Sequence, residues 1–507
     1  MRVLLTITLL TVYFFGSAQV SLQALSLNKG RYYVGFRHYI AYDSTRTYKR
    51  SGEWSNKSIY RPIPVSVWYP RDISDKTKSL TVLDYMHIFK EEAEWEYLPD
   101  YQILDWFGYP DTPENRAHFR EATSAFEGGK AAKGKYPAIV YAPSFQASSI
   151  ENFALCEYLA SYGYIVIASP SRGAETRSMG MDAGKDMETQ ARDIEFLIKE
   201  IIQNRQADME KLATIGFSFG GLSNILTQMR NNLVKAIISL DGSIKYQYTT
   251  LKKSPYYKIE KTDVPFIHMA QKNIPPEVLA EDKIDSSLNH AFDFYDDLLY
   301  SKAYSFKFHD LTHMYFSTLG ILFQERDKRQ DKTDKEIMES YRLTALYALN
   351  FLNAFLKNDR SAHAFLEETP ENNGIPAGLI SKKSKQPRAK EMSFEDFNGL
   401  MYSRQYKNLD PLYDSLLAVN TRFKPEEGKL NNLGLQLLFN TRTSQQGISV
   451  LELATKIYPQ SANLFDSLAE AYFFVGDTIS ATENFKQSLT LDPQNQNAIK
   501  KLRLLEK

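Results

Sequence analysis

The chain of 507 residues contains a single cysteine, Cys156. One thiol closes no intramolecular disulfide, so stability has to come from buried cores. In its helix-compatible, apolar setting, "ENFALCEYLASYGY", Cys156 reads as a small buried hydrophobe rather than a nucleophile. No cysteine pair and no His-Glu-x-x-His spacing offers a zinc site, so neither a metal nor an organic cofactor is expected. An excess of charge is missing too. Lysine plus arginine and aspartate plus glutamate both number 61, which gives no reason to expect a nucleic-acid surface.

Apolar runs long enough to span a bilayer are also lacking. The one candidate is the start, "MRVLLTITLLTVYFFGSAQ", where a short run from Val3 to Phe15 follows Arg2 and leads to Gly16-Ser17-Ala18. That order of positive, apolar and small residues reads as a signal peptide over residues 1–18. The expected product is exported, periplasmic or secreted, with no membrane span after cleavage. What remains is too long for one ordinary core, so more than one domain is expected.

What is present is a change of rhythm along the chain. "RYYVGFRHYIAY" and "RPIPVSVWYP" alternate as strands do. An aromatic, charged, helix-compatible insertion follows over about 83–130, expected to act as a cap or wall or as an ordinary crossover. From "YPAIVYAP" onward, short β-branched runs alternate with helical patterns through "YIVIASP", "KLATIG", "VKAIISLDG", "VPFIHMA" and "YSFKFHD". This rhythm predicts an α/β domain over 26–366, with a mostly parallel sheet covered by helices on both faces. Residues 367–391, polar and lysine-rich with prolines, read as a linker.

Residues 392–507 read as all-helical and repetitive. Pro459 and Pro493 lie thirty-four residues apart, the tetratricopeptide period. Phe465, Leu468, Ala469, Tyr472, Ala481, Phe485 and Ser488 fall on its large and small positions. Leu433, Gly434, Leu437, Leu451 and Ala454 do so in the preceding copy, with one extra residue in the turn. Such repeats are expected to bind a protein or peptide partner, or to pack on the first domain or pair two chains.

Gly216-Phe217-Ser218-Phe219-Gly220 fits G-x-S-x-G, the turn that lifts a serine between a strand and a helix. "KLATIG" supplies the strand and "GLSNILTQMR" the helix. A serine hydroxyl needs a base, and the base needs an orienting carboxylate. Of eight histidines, those after the last strand of the domain, in "FKFHDLTHMYF", are the candidates. His313 falls in the loop and is favoured over His309, which belongs to the strand end. Asp241 ends the strand after the nucleophile's and is favoured as the acid over Asp282 and Asp285. For the oxyanion, the backbone N–H of Phe219 is one expected donor. The other is expected from "PSFQASS", with Phe145 favoured and Ser144 or Gln146 still open.

From about Gly30 to Phe365 the chain resembles the platelet-activating-factor acetylhydrolase-like and dienelactone-hydrolase-like branch of the α/β-hydrolases. "GRYYVGFRHY", "YPAIVYAPS", "LASYGYIVIASPSRG", "GFSFGG", "ISLDG" and "THMYF" carry the resemblance in order and spacing. It implies Ser218 as nucleophile, Asp241 as acid, His313 as base, and Phe145 and Phe219 as oxyanion donors. Pro143-Ser144 replaces the His-Gly of many relatives, and the insertion is long, so the family's substrate does not transfer. The expected activity is hydrolysis of a small-molecule carboxylic ester through an acyl-enzyme. An acyltransferase or peptidase on the same residues, or a non-catalytic scaffold, are the alternatives.

Overall fold

The computed structural model describes residues 20–51, 57–72, 78–180, 182–281, 283–325, 329–389, 392–419, 421 and 423–505. The expected signal peptide and Asp282 lie outside them. The chain divides into two compact units, Met1–Arg388 and Ala389–Lys507.

The first unit is built on one eleven-stranded sheet. Its strands are β1 (Tyr33–Tyr48), β2 (Ile59–Arg71), β3 (Ser79–Thr81), β4 (Ala122–Glu127), β5 (Tyr136–Ala142), β6 (Ile165–Ala168), β7 (Ala207–Phe217), β8 (Val234–Leu240), β9 (Phe266–Ala270), β10 (Ala303–Phe308) and β11 (Ile380–Lys385). The order across the sheet is β11-β10-β9-β8-β7-β5-β6-β2-β1-β4-β3. From β6 to β10 every pairing is parallel, while β2 joins β6, and β11 joins β10, antiparallel.

The period of two along the central strands divides the interior into two cores. Ile139, Tyr141, Ile215, Phe217 and Ile238 enter one, and Ala138, Val140, Ala142, Leu212 and Ile237 the other. Helices α1 (Val82–Glu92), α2 (Phe153–Ser161), α3 (Ala183–Ile202), α4 (Phe219–Arg230) and α5 (Asp334–Lys357) cover them. Residues of α1, α2 and α5 fill the first core; those of α3 and α4 fill the second. α3 shows why it is a helix with one buried face. Met187, Ala191, Ile194, Leu197, Ile198 and Ile201 recur at helical spacing, and Asp182 caps the N–H groups of Gly184 and Lys185. The expected mostly parallel sheet, covered on both faces, is what the chain forms.

Two stretches differ from expectation. Residues 380–385, inside the expected linker, form β11 on the edge of the sheet. Its sequence, Ile-Ser-Lys-Lys-Ser-Lys, hides the strand because only Ile380 is buried, and the lysines are what an edge strand carries against further pairing. The insertion over 83–130 is not helical throughout. It closes with β4, which pairs parallel to β1.

The second unit is helical among its described residues, with helices from Phe394–Ser403 to Gln496–Leu505. Gly434 and Gly447 meet where helices Glu427–Leu438 and Ser444–Ile457 cross; a Cβ on Gly447 would lie 2.5 Å from the Gly434 carbonyl oxygen. Among the described residues no helix is long and apolar enough to cross a membrane.

Candidate active site

β7 runs into α4 through Ser218, whose backbone takes φ 51° and ψ −118°. This is a region that side-chain-bearing residues rarely occupy, and it typically costs about 1–3 kcal/mol. The surroundings hold it there. Ser218 N–H donates to Leu240 O at 3.1 Å, and Ser218 O accepts from Ser243 N at 2.7 Å and Gly221 N at 3.0 Å. The flanking glycines are steric requirements. A Cβ on Gly216 would lie 2.4 Å from the Gly220 carbonyl carbon, and one on Gly220 would lie 2.1 Å from Ala142 O.

The structure brings Ser218, Asp241 and His313 together. His313 Nε2 is 2.9 Å from Ser218 Oγ, and His313 Nδ1 is 2.6 Å from Asp241 Oδ2. The Asp241 side chain is fully buried at the end of β8, whereas the imidazole is about one-third open to solvent. Burial pushes the Asp241 carboxyl upward. The hydrogen bond and charge of His313, followed by the Gln271 N–H, outweigh it and hold the group below the usual aspartate range. Asp241 therefore stays ionised beside the ring, with Nδ1–H donating to it. Nε2 is left as an acceptor facing the serine hydroxyl.

The other candidates are engaged elsewhere. His309 Nε2 pairs with Ser381 Oγ at 2.7 Å, and His268 Nδ1 with Ser239 Oγ at 3.0 Å. Asp285 caps a short helical turn through Ser287 N.

A residue with no carboxylate to advertise it completes the arrangement. Gln271, just beyond β9, donates its backbone N–H to Asp241 Oδ1 at 3.0 Å. Its side-chain Oε1 accepts from the His313 backbone N–H at 3.1 Å. The sequence gives no sign of this, because glutamine at a strand end carries no motif.

In the loop after β5, the three open choices for the second backbone donor separate by their partners. Ser144 N–H donates to Glu151 Oε2 at 2.9 Å, and Gln146 N–H points to Met179 Sδ at 3.1 Å. The backbone N–H groups of Phe145 and Phe219 take no partner among the described residues, and their rings meet edge to face at 5.8 Å. The loop is anchored from beneath by two buried carboxylates. Glu151 also accepts from the Ser144 hydroxyl, and Glu92, at the end of α1, accepts from Ser149 N at 2.9 Å and from the hydroxyls of Ser148 and Ser149. The insertion thus reaches the site as a support for this loop.

Beside Ser218 lies a cavity of about 640 Å³, bordered by Tyr246, Gln271, Ile274, Val278, Ile284 and Met314. Its wall comes mainly from the segment after β9; none of its lining residues belongs to the aromatic insertion. Its size suits a small ligand, and its mixture of apolar side chains with a few polar groups suits an acyl or aryl moiety. Among the described residues no three His, Cys, Asp or Glu side chains are grouped to hold a metal ion.

The sequence profile of the prolyl oligopeptidase family matches residues 152–272, the stretch that holds α2, β6, α3, β7, Ser218, α4, β8, Asp241, β9 and Gln271. Among solved structures, a ferulic acid esterase from Streptomyces cinnamoneus is 18% identical, with 70% of this chain and 98% of that one covered at a TM-score of 0.49. No curated protein matches the chain. The family match, on the unit carrying the strand–serine–helix turn, supports a serine hydrolase of the α/β-hydrolase fold.

Proposed function

We propose that the protein is an exported serine hydrolase that cleaves carboxylic esters, with Ser218 as nucleophile, His313 as base and Asp241 as its orienting acid. The observation that carries this reading is the single imidazole bridging a buried carboxylate at 2.6 Å and a serine hydroxyl at 2.9 Å. Ser218 Oγ attacks the ester carbonyl while His313 Nε2 takes its proton, and Asp241 stabilises the imidazolium that forms. The negative charge that develops on the carbonyl oxygen is met by the Phe145 and Phe219 N–H groups. A donor of this kind is worth about 3 kcal/mol in the transition state. The imidazolium then protonates the departing alkoxide. Water, activated by the same histidine, releases the acid from Ser218.

Support for the ester class comes from the motifs shared with the acetylhydrolase-like branch and from the partly apolar cavity. A peptidase reading has one observation of its own, the profile match over residues 152–272. The helical repeats of residues 392–507 are proposed as a protein- or peptide-binding module. In support, Ala469, Ala481 and Phe485, three of the repeat positions, share one small core.

Intact mass after fluorophosphonate treatment tests the reading. One adduct on the wild-type protein, absent from Ser218→Ala, is the expected result. Lack of an adduct on folded protein would overturn it in favour of a scaffold. Paired ester and amide substrates, with released acid compared against transferred product, then separate esterase from peptidase and acyltransferase.

A further inference from the structure

From Tyr304 onward β10 alternates. Tyr304, Phe306 and Phe308 are buried, while Ser305 and Lys307, followed by His309 just past the strand end, are half-buried on the opposite face. The register carries this polar face across its neighbours. Ser305 stands opposite His268 of β9 and Lys383 of β11, and Lys307 stands opposite Ala270 and Ser381. Lys245 enters the same space from the turn after β8. Together they border a hollow of about 320 Å³, distinct from the one beside Ser218 although Asn273 touches both.

The charges in this hollow do not balance. Lys245 is 8% exposed, and among the described residues its ammonium has no hydrogen-bond or carboxylate partner; the Tyr246 ring centroid lies 5.8 Å from it. Lys307 gives hydrogen bonds to neutral acceptors, Asn273 Oδ1 at 2.6 Å and Asn289 O at 2.7 Å. His268 is fully buried, with Nδ1 on Ser239 and Nε2 unpartnered among the described residues. The acid on the rim is Asp296, which is exposed. Burial lowers the Lys245 ammonium to about 8; Asp241 opposes that, and Lys307 and Lys383 add to it by repulsion. A lysine that is mostly buried and whose ammonium meets no carboxylate is held there at a cost. A fold that gathers three lysines around a hollow supplies what an anion would relieve.

We propose that this hollow binds a compact oxyanion, a phosphate or carboxylate group, through Lys245, Lys307 and Lys383, with His268 Nε2–H as a neutral donor. Charge-assisted hydrogen bonds from lysine suit such a group as point contacts. The anion is either a free ion or the charged end of a larger molecule.

The test uses the full chain and inorganic phosphate, followed by calorimetric titration and by thermal melting against sodium chloride of equal ionic strength. Wild type is expected to bind one phosphate and to melt higher with it. Lys245→Met and the exposed Lys383→Ser are each expected to weaken the affinity about tenfold. Because Lys383 lies at the surface of the edge strand, its variant keeps the test decisive if Lys245→Met does not fold. An ester with a terminal phosphate, compared with its neutral counterpart, identifies the source. A preference in kcat/KM that Lys383→Ser removes assigns the end of a larger molecule; equal kcat/KM with phosphate still bound assigns a free ion. No phosphate-specific heat or melting shift, or equal affinity in all three proteins, overturns the proposal. The binding measurements need no turnover, so they stand apart from the reading of Ser218.

Discussion

Gln271 holds Asp241 with its main chain and the His313 loop with its side chain, at 3.0 and 3.1 Å. Asp241 comes from the end of β8 and His313 from beyond β10, so one residue just past the intervening β9 ties the two together. Although Gln271 borders the cavity, its hydrogen bonds go to Asp241, His313 and Tyr246 and none to Ser218; it positions. Gln271→Ala is expected to lower kcat about 10- to 100-fold with KM little changed, because small misplacement of a catalytic group is costly. Gln271→Glu, which retains an acceptor, should recover part of the rate. Steady-state kinetics on one ester checks both, and a change confined to KM would contradict the positioning role.

The glycine requirement at the turn is open to a stability test. Gly220→Ala drives a methyl group to 2.1 Å from Ala142 O and 2.7 Å from Pro143 O, both backbone atoms of the central sheet and its loop. Neither can withdraw without disturbing β5. The expected loss is about 3 kcal/mol, at the upper end for overpacking. Gly180→Ala is the matched control, since no atom lies within 4 Å of the added carbon. Urea denaturation should separate the two variants clearly.

Ser218, Asp241 and His313, which the structure brings together, are marked in the sequence because each obeys a local rule. The glycines at 216 and 220 answer to a backbone approach that any side chain would block, and Asp241 and His313 follow the ends of strongly apolar strands. Gln271 and Glu151 obey no such rule. Their roles arise only when strand ends and loops distant in sequence come together, and a glutamine or a glutamate carries no mark of that. β11 was illegible for another reason. An edge strand with one side on β10 needs few apolar residues, so its composition matched that of a linker. Nothing in the sequence links the lysines at 307 and 383; the strand register sets them on one face.

Glu151 makes the protein's stability depend on pH in a stated direction. Burial raises its carboxyl from 4.5 to about 7, although the Ser144 hydroxyl and N–H and the His313 charge pull the other way. Between those values the folded protein binds the proton and the unfolded chain does not. The stabilisation is therefore complete below about 4.5 and is lost as pH rises through 7. The group's contribution is on the order of 3 kcal/mol. Glu151→Gln keeps the shape and an acceptor for Ser144 but cannot titrate, so its stability should fall less between pH 5 and pH 8 than that of wild type. Denaturation at several pH values checks this; parallel curves for the two proteins would contradict it.

The position of β11 decides where the chain can be shortened. Ile380 is buried in the first core, Lys382 Nζ donates to the carbonyls of Glu367 and Glu368 at 2.9 and 2.8 Å, and Arg388 N–H donates to Leu299 O at 2.8 Å. Lys382 thus caps the end of helix Arg360–Glu367, where unpaired carbonyls favour a cation. A chain ending after Arg388 retains all of these and is expected to melt as one unit with small-ester turnover intact. A chain ending after Gly378 strips the pairing partner from β10, exposing its edge to other molecules. That shorter protein is expected to melt about 5 °C or more lower and to aggregate. Calorimetry and light scattering on the two truncations distinguish a strand that belongs to the sheet from a tether that could be dispensed with. Equal melting would return residues 380–385 to the role of a linker.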